Sequence, residues 1–314
     1  MYTYIITIKV QATMVFFSFL AAYCKKAICY GKMFVRCVEA FMDKRFIFLV
    51  VLVVFFIFLF FILTVTDSLG SFRFVERGSF VFAGNNTVIN YDFYIKTCEV
   101  TYNEFDAYTD SSRLFRAVDY DTSRGTRPVS NVGWMDAIGY CNWLSRKEKF
   151  PQAYDSSGKL IDENGNITSD LSKVFGYRLP THEEWVYAAK GGSSSKNFSF
   201  AGSNDLLEIA WFWRNSGDML YTNVYDPKIF YTLNMKSKPV GRKKPNELGL
   251  YDMFGNVKEW CMTIPAKGKE APVKGGSYIS LEQELSFESV VMTDKEYRSS
   301  ELGFRIVRTV RSKD

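Results

Sequence analysis

The sequence predicts a loop-rich α+β domain carried behind a single N-terminal transmembrane helix. Three observations lead there. One is an eighteen-residue run without a polar side chain, Phe46–Leu63, early in a chain of 314 residues. Another is a set of three short helix signals, two of them capping boxes. The third is a series of brief apolar stretches separated by turn residues, which read as short strands. At 47% apolar and 23% charged residues, the composition is that of a folded chain with a full core and excludes a disordered one.

Thr64 and Val65 extend the apolar run, and about 20 such residues cross a bilayer core. The run exceeds the roughly 7–15 apolar residues of a cleavable signal peptide. No small-x-small site follows it closely, and no cysteine stands just after it for lipid attachment. Residues 46–66 therefore read as an uncleaved signal anchor. The formal net charge of +5 is concentrated ahead of it, where Lys9, Lys25, Lys26, Lys32, Arg36, Lys44 and Arg45 face only Glu39 and Asp43. By the positive-inside rule the N-terminus is cytoplasmic and everything after about Thr66 lies outside, in a periplasm or at a cell surface. The remainder is balanced in charge, which argues against a nucleic-acid partner, since such a domain presents a basic face. Residues 1–45 read as a basic cytoplasmic tail. Met42-Asp-Lys-Arg before the apolar run would serve equally as a start, leaving 1–41 unexpressed.

Residues 67–77 read as a linker and 78–310 as the domain. Thr101-Tyr-Asn-Glu104 and Thr181-His-Glu-Glu184 each have the capping-box spacing that starts a helix. Between them, Trp134, Ala137, Ile138, Cys141 and Leu144 share one helical face. Strands are expected at Phe80–Phe82, Phe93–Lys96, Lys274–Ser277 and Phe304–Arg308. The stretch 155–170 reads as a turn-rich hairpin insertion, and there is no tandem repeat. Asp162-Glu-Asn-Gly-Asn166 is oxygen-rich, but Asn-Gly is a hairpin-turn signal and the Gly and distal Glu of a calcium loop are missing.

Six segments, in order, carry a resemblance. They are Glu99-Val-Thr101; Pro128 to Trp143 (PVSNVGWMDAIGYCNW); Tyr177 to Gly192 (YRLPTHEEWVYAAKGG); Asn246 to Trp260 (NELGLYDMFGNVKEW); Lys274-Gly-Gly-Ser-Tyr278; and Leu302-Gly-Phe-Arg305. Together they resemble the formylglycine-generating-enzyme, or sulfatase-modifying-factor, domain over about 78–310. The resemblance implies a variant of the C-type-lectin fold. Its enzymes oxidise a sulfatase cysteine with Cu(I) and oxygen, using two cysteines after the Gly-Gly-Ser-Tyr motif. Here the matching positions are Ser280 and Leu285. Cu(I) prefers soft thiolates; a hard hydroxyl and an aliphatic side chain cannot hold it, so no copper is expected. Another branch builds an iron site from three histidines, whereas this chain has only His182, which reads as an exposed helix-start residue.

The resemblance also implies a structural Ca²⁺ held by the side chains of Asp252 and Glu259 and the carbonyls of Gly255 and Val257, a hard-oxygen set of the right chemistry. Lys258 adds a positive charge beside it. A second calcium site of the family, near Trp213–Asp226, has no match. Cys141 matches a position that in some members is disulfide-bonded to the position of Ile306. On its apolar face it reads as a buried thiol, although a bridge from Cys98 or Cys141 to Cys261 is compatible with the sequence. The spacing of Cys24 and Cys29 copies the catalytic pair by coincidence, outside the domain. Trp211, Trp213, Tyr221, Tyr225 and Tyr231 read as core pins or, less economically, as a binding face. Asn85, Asn166 and Asn197 are glycosylation acceptors only in a eukaryotic secretory pathway.

The expected function is thus a membrane-anchored, non-catalytic binding or structural module whose ligand is a protein or a glycan. One alternative is a sulfatase-modifying oxidoreductase with relocated thiols, Cys98, Cys141 or Cys261. Another is a variable recognition protein that reads ligands through 279–301.

Overall fold

The first strand begins inside the stretch read as a linker. Phe72–Val75 form β1, which pairs antiparallel with β4 (Phe93–Lys96), Phe72 opposite Lys96. The computed structural model describes residues 71–119, 123–262, 264 and 268–311, all within the compact unit Leu69–Asp314. The anchor at 46–66, the basic tail and Cys24, Cys29 and Cys37 lie outside the described residues. Among the described residues no helix is long and apolar enough to cross a membrane.

Between β1 and β4 stands a hairpin, β2 (Gly78–Phe82) and β3 (Asn85–Ile89). Its two-residue turn has positive φ at both Ala83 (48°) and Gly84 (79°). Two left-handed residues are what a type I′ turn needs to follow the twist of the strands. Helix α1 (Tyr102–Ser112) starts as its capping box predicts: Thr101 Oγ1 accepts the Glu104 amide, and the Glu104 carboxylate accepts the Thr101 amide at 2.8 Å. Helix α2 (Trp134–Lys147) buries Trp134, Ala137, Ile138, Cys141 and Leu144, the face read from the sequence. Burial of each large apolar side chain on that face is worth about 1.5–3 kcal/mol. After β5 (Tyr177–Arg178), α3 (His182–Ala189) opens with the second capping box, Thr181 and Glu184. Its end is followed by Gly191 at φ 93°. Later helices are single turns.

Residues 155–170 do form a bridged turn structure, Tyr154 opposite Leu160 and Ile161 opposite Ile167. Asp162 Oδ1 accepts the amides of Asn164 and Asn166, both at 2.9 Å. Its carboxylate closes the turn, and these backbone hydrogen bonds hold its pKa below the usual range.

The C-terminal half adds β6 (Lys258–Trp260), β7 (Glu270–Lys274), β8 (Val291–Asp294), β9 (Leu302–Gly303) and β10 (Val307–Thr309). One sheet runs β1-β4-β10-β5 and the other β8-β7-β6-β9, with β6 and β9 parallel. Two expected strands are corrected. The one placed at Lys274–Ser277 ends at Lys274, because Gly275 (φ 90°) and Gly276 (φ 69°) turn the chain away. The one placed at Phe304–Arg308 is shorter: β10 takes only Val307 and Arg308 of it, and Phe304–Ile306 lie between β9 and β10, with Arg305 in a buried ion pair. Neighbouring residues feed opposite cores: Phe304 and Ile306 pack with α1 and α2, whereas Val307 packs with Trp185 and Phe254. Alternation along extended chain places successive side chains on opposite faces, so this sheet separates two cores.

The cap of α3 is coupled to a buried charge. Glu184 also pairs with Arg178 through two 2.6 Å contacts, both side chains inaccessible. Thr181→Ala should therefore cost about 1 kcal/mol, the usual loss of a cap. Glu184→Ala, which strands the buried guanidinium, should cost about 3–5 kcal/mol. Urea unfolding of both variants checks the order; equal losses would show that Arg178 does not depend on Glu184.

Candidate functional site

Two of the motif segments, and the residue just before a third, converge at one place. β7 delivers Lys274 to the Gly275-Gly276 turn. A Cβ on Gly276 would stand 2.4 Å from Leu285 Cδ2, so only glycine fits. The turn sets Ser277, whose Oγ donates to Glu301 Oε2 at 2.7 Å; the same oxygen receives Lys258 Nζ at 3.1 Å. Lys258 comes from β6 and Glu301 from the loop before β9. Two openings flank this Ser277–Glu301–Lys258 cluster. A polar cavity of about 280 Å³ is lined by Arg127, Ser130, Asn131, Tyr278 and Ser300. A groove of about 380 Å³ is lined by Val273, Met292, Tyr297, Ser299 and Glu301. Segment 299–301 is the wall between them.

Ser277 is inaccessible and its hydroxyl proton is directed at a carboxylate already paired with a lysine. Nothing here activates it as a nucleophile. The two positions that correspond to catalytic cysteines are closed. Ser280 Oγ accepts the Ser277 amide at 3.0 Å, finishing the turn, and is 2% exposed. Leu285 is fully buried in the α3 core. Lys274, 1% exposed, donates to the carbonyls of Phe287 (2.6 Å) and Ser289 (2.5 Å), which ties the chain leading to β8. Burial pushes this amine down to about 8.

Beneath the cleft is an ionic core. Arg305 forks onto Glu259, Nε to Oε2 and Nη2 to Oε1, each at 2.6 Å, and Trp185 Nε1 donates to Oε2 at 2.7 Å. Glu99 Oε1 accepts from Asn256 Nδ2 at 3.0 Å and Asp252 Oδ2 from the Gly241 amide at 2.7 Å. Their other oxygens, Glu99 Oε2 and Asp252 Oδ1, are buried with no partner among the described residues. Burial pushes Asp252 up to about 6, against the Gly241 hydrogen bond and Arg305. Burial, reinforced by the charge of Asp252, pushes Glu99 well above the usual carboxylate range.

Asp252, Gly255, Val257 and Glu259 are all buried in this turn, but as a calcium set they do not fit. The Glu259 carboxylate is committed to Arg305 and Trp185, and the guanidinium would stand against any cation placed there. The described residues contain no group of three or more His, Cys, Asp or Glu able to hold a metal.

The three described thiols of the domain have their pKa values raised, not lowered. Cys98, Cys141 and Cys261 are free. Burial, with Glu99 and Asp252, pushes Cys98 up to about 12. Burial likewise raises Cys141 and Cys261. Low-pKa thiolates are what nucleophilic and redox cysteines need. His182 is half-buried and edge-on to Phe82 at 4.9 Å, not exposed as expected. Burial and then Lys274 lower its pKa. Phe212 and Trp213 are core, Trp211 lies under Lys243 at 4.1 Å, and Tyr221 and Tyr225 pack on Trp213. The side chain of Tyr231 lies outside the described residues. Sequence reasoning missed Lys258 and Glu301 as partners. Their only signal is position: Lys258 stands inside the 246–260 motif and Glu301 immediately before the Leu302–Arg305 motif.

A sulfatase-modifying factor enzyme 1-like domain matches residues 66–310. The chain belongs to that family. It is 36% identical over 266 residues to the chaperone protein LppX of Paenibacillus barcinonensis, covering 78% of this chain and 91% of LppX. It is 27% identical to the formylglycine-generating enzyme of Streptomyces coelicolor, over 50% of this chain but only 44% of that enzyme. The solved structure of CarF superposes with a TM-score of 0.59 at 26% identity, covering 76% of this chain and 98% of CarF.

Two outcomes follow from the ionic core. An Asp raised above its unfolded value of about 3.9 contributes stability that is full below that pH and is lost as pH climbs through about 6. Urea midpoints should fall between pH 5 and pH 7, and Asp252→Asn should flatten that slope; an unchanged slope would place the titration elsewhere. Thermal melts in Ca²⁺ and in EDTA should superimpose. A Ca²⁺-dependent rise in Tm that Asp252→Asn abolishes would overturn the misfit, since binding to the folded state alone must raise stability.

Proposed function

We propose that the protein is a non-catalytic binding module, held at a membrane by residues 46–66 and presenting its domain outside the cytoplasm to a polypeptide partner. The observation that carries this reading is the closure of the two catalytic positions. Ser280 is spent on a turn hydrogen bond and Leu285 on the core. A family scaffold whose thiol pair is replaced in this way keeps a cleft and loses its redox centre. The cleft is rebuilt around a Lys258–Glu301 ion pair, which orients surfaces but transfers nothing. The relative LppX, matched over nearly its whole length, is named a chaperone, which favours a polypeptide over a glycan. A membrane anchor just ahead of such a domain would hold clients at the face of the membrane where exported chains emerge.

The full chain in lipid nanodiscs, loaded with Cu(I) and given a cysteine-containing sulfatase peptide, should leave the peptide mass unchanged. The same preparation should suppress light scattering by reduced, unfolding α-lactalbumin at near-stoichiometric ratios. Conversion of the peptide cysteine to formylglycine, or no effect on scattering, would sink the proposal.

A further inference from the structure

β8 is the outermost strand of its sheet. In its pairing with β7, Lys295 donates its amide to the Lys269 carbonyl at 2.8 Å. Antiparallel ladders alternate between bonded and non-bonded pairs. Thr293 and Val291 therefore bond inward to Ala271 and Val273, while Met292 and Asp294 stand opposite Pro272 and Glu270 without ladder bonds. The Met292 N–H and C=O and the Asp294 N–H then point away from the sheet. The remaining Asp294 carbonyl is taken by the Tyr297 amide at 2.9 Å.

Apart from its shortness and the terminal Asp294, this edge carries none of the usual guards. β8 reads Val-Met-Thr-Asp, with no proline or lysine, and no residue from 289 to 299 has positive φ. Edges normally carry such devices to prevent pairing with another chain. Instead, Val290, Val291, Met292 and Tyr297 are all exposed, from 40% to 54%. The groove of about 380 Å³ starts at β8 and crosses the sheet, lined also by Val273 of β7 and Leu302 of β9. Lys258 lies on Glu301, while Asp294, whose Oδ1 accepts the Glu296 amide, keeps its negative charge at the end of the strand.

We propose that the outer edge of β8 takes an extended, uncharged apolar segment of a client polypeptide as an added strand, with alternate side chains of that segment entering the adjoining groove. This rests on the binding reading above and names its ligand class. An open row of alternating amide and carbonyl groups matches the repeat of a peptide backbone, and added strands gain affinity from main-chain bonds and selectivity from alternate side chains. A saccharide would be matched by the polar cavity on the other side of residues 299–301 and not by an apolar edge. A second copy of this chain is the competing occupant, and the test separates it.

The full chain in lipid nanodiscs is titrated into a fluorescein-labelled peptide of alternating valine and threonine, and into the same peptide N-methylated at every second residue. Fluorescence polarisation should show at least tenfold weaker binding of the methylated peptide, whose backbone donors on one side are gone. Met292→Pro, at an outward amide that β7 does not use, should weaken the unmodified peptide at least tenfold with an unchanged Tm. Met292→Lys, which keeps the amide and places charge on the edge, should weaken it as well. Should Met292→Pro fail to fold, the methylated peptide on the wild-type chain decides alone. Equal binding of the two peptides overturns the proposal, as does undiminished binding by the folded Met292→Pro chain. A concentration-dependent dimer that Met292→Lys abolishes also overturns it, in favour of self-pairing. If α-lactalbumin is still protected by a Met292→Pro chain that binds peptide normally, this inference fails while the binding reading stands. If the wild-type chain protects nothing, the reading itself fails.

Discussion

Arg305 ties its own segment to two others far from it in sequence, the end of β4 and the 246–260 turn, and its pairing with Glu259 is the contact around which the cleft is organised. The guanidinium holds both oxygens of Glu259, the carbonyl of Lys96 at the end of β4 and the carbonyl of Tyr251 in the 246–260 turn. Trp185 of α3 completes the carboxylate's shell. Two charges with no solvent access cost several kcal/mol each to bury. Only a bidentate geometry with the remaining valences filled recovers that cost, and removing one partner forfeits it. Glu259 lies opposite Lys274 in the β6–β7 ladder, so the pair also sets where the Gly275-Gly276 turn begins and where Ser277 is presented. Glu99 and Asp252 share the same surroundings without a cation of their own, and burial drives both toward their protonated forms.

In the proposed reading, the cleft keeps the family's scaffold without its thiol pair. The thiol positions belong to a tight turn and to a core-facing loop, and each has been absorbed by the function of its neighbourhood. Ser280 caps the turn that the two glycines create, and Leu285 fills the space that Gly276 leaves by having no Cβ. Accessible among the described residues are an ion pair, a polar cavity and an apolar strand edge, surfaces that the proposed binding role would use.

Elements governed by neighbours in the chain were legible before any fold was known. The capping boxes at Thr101 and Thr181 work through residues three apart, and the buried face of α2 follows from helical spacing alone. Asp162 was correctly read as a turn residue because Asn-Gly and its own side chain act within five residues. Elements that depend on a distant partner were not legible. β1 looked like a linker, since Phe-Arg-Phe-Val becomes a strand only beside β4. The Phe304–Arg308 stretch reads as one strand, but only Val307 and Arg308 of it join β10, whose partners β4 and β5 are distant in the chain, and His182 reads as exposed until Phe82 of the hairpin covers it. The calcium set has the right oxygens in the right order. Its misfit arises from a guanidinium forty-six residues away from Glu259.

By itself the sequence determined the family, the helix starts, the placement of the positive charge ahead of the apolar run, and that Ser280 and Leu285 stand where the resemblance places the family's cysteine pair. Each of these is written in residue identities or in spacings within a turn or two of chain. Only the tertiary structure decided how the buried charges are shared, that Lys258 and Ser277 meet on Glu301, and that β8 ends its sheet with an open edge. Those outcomes depend on which distant groups are brought within hydrogen-bonding distance once water is excluded, and on which strand is left without a neighbour. No local pattern in the chain encodes either.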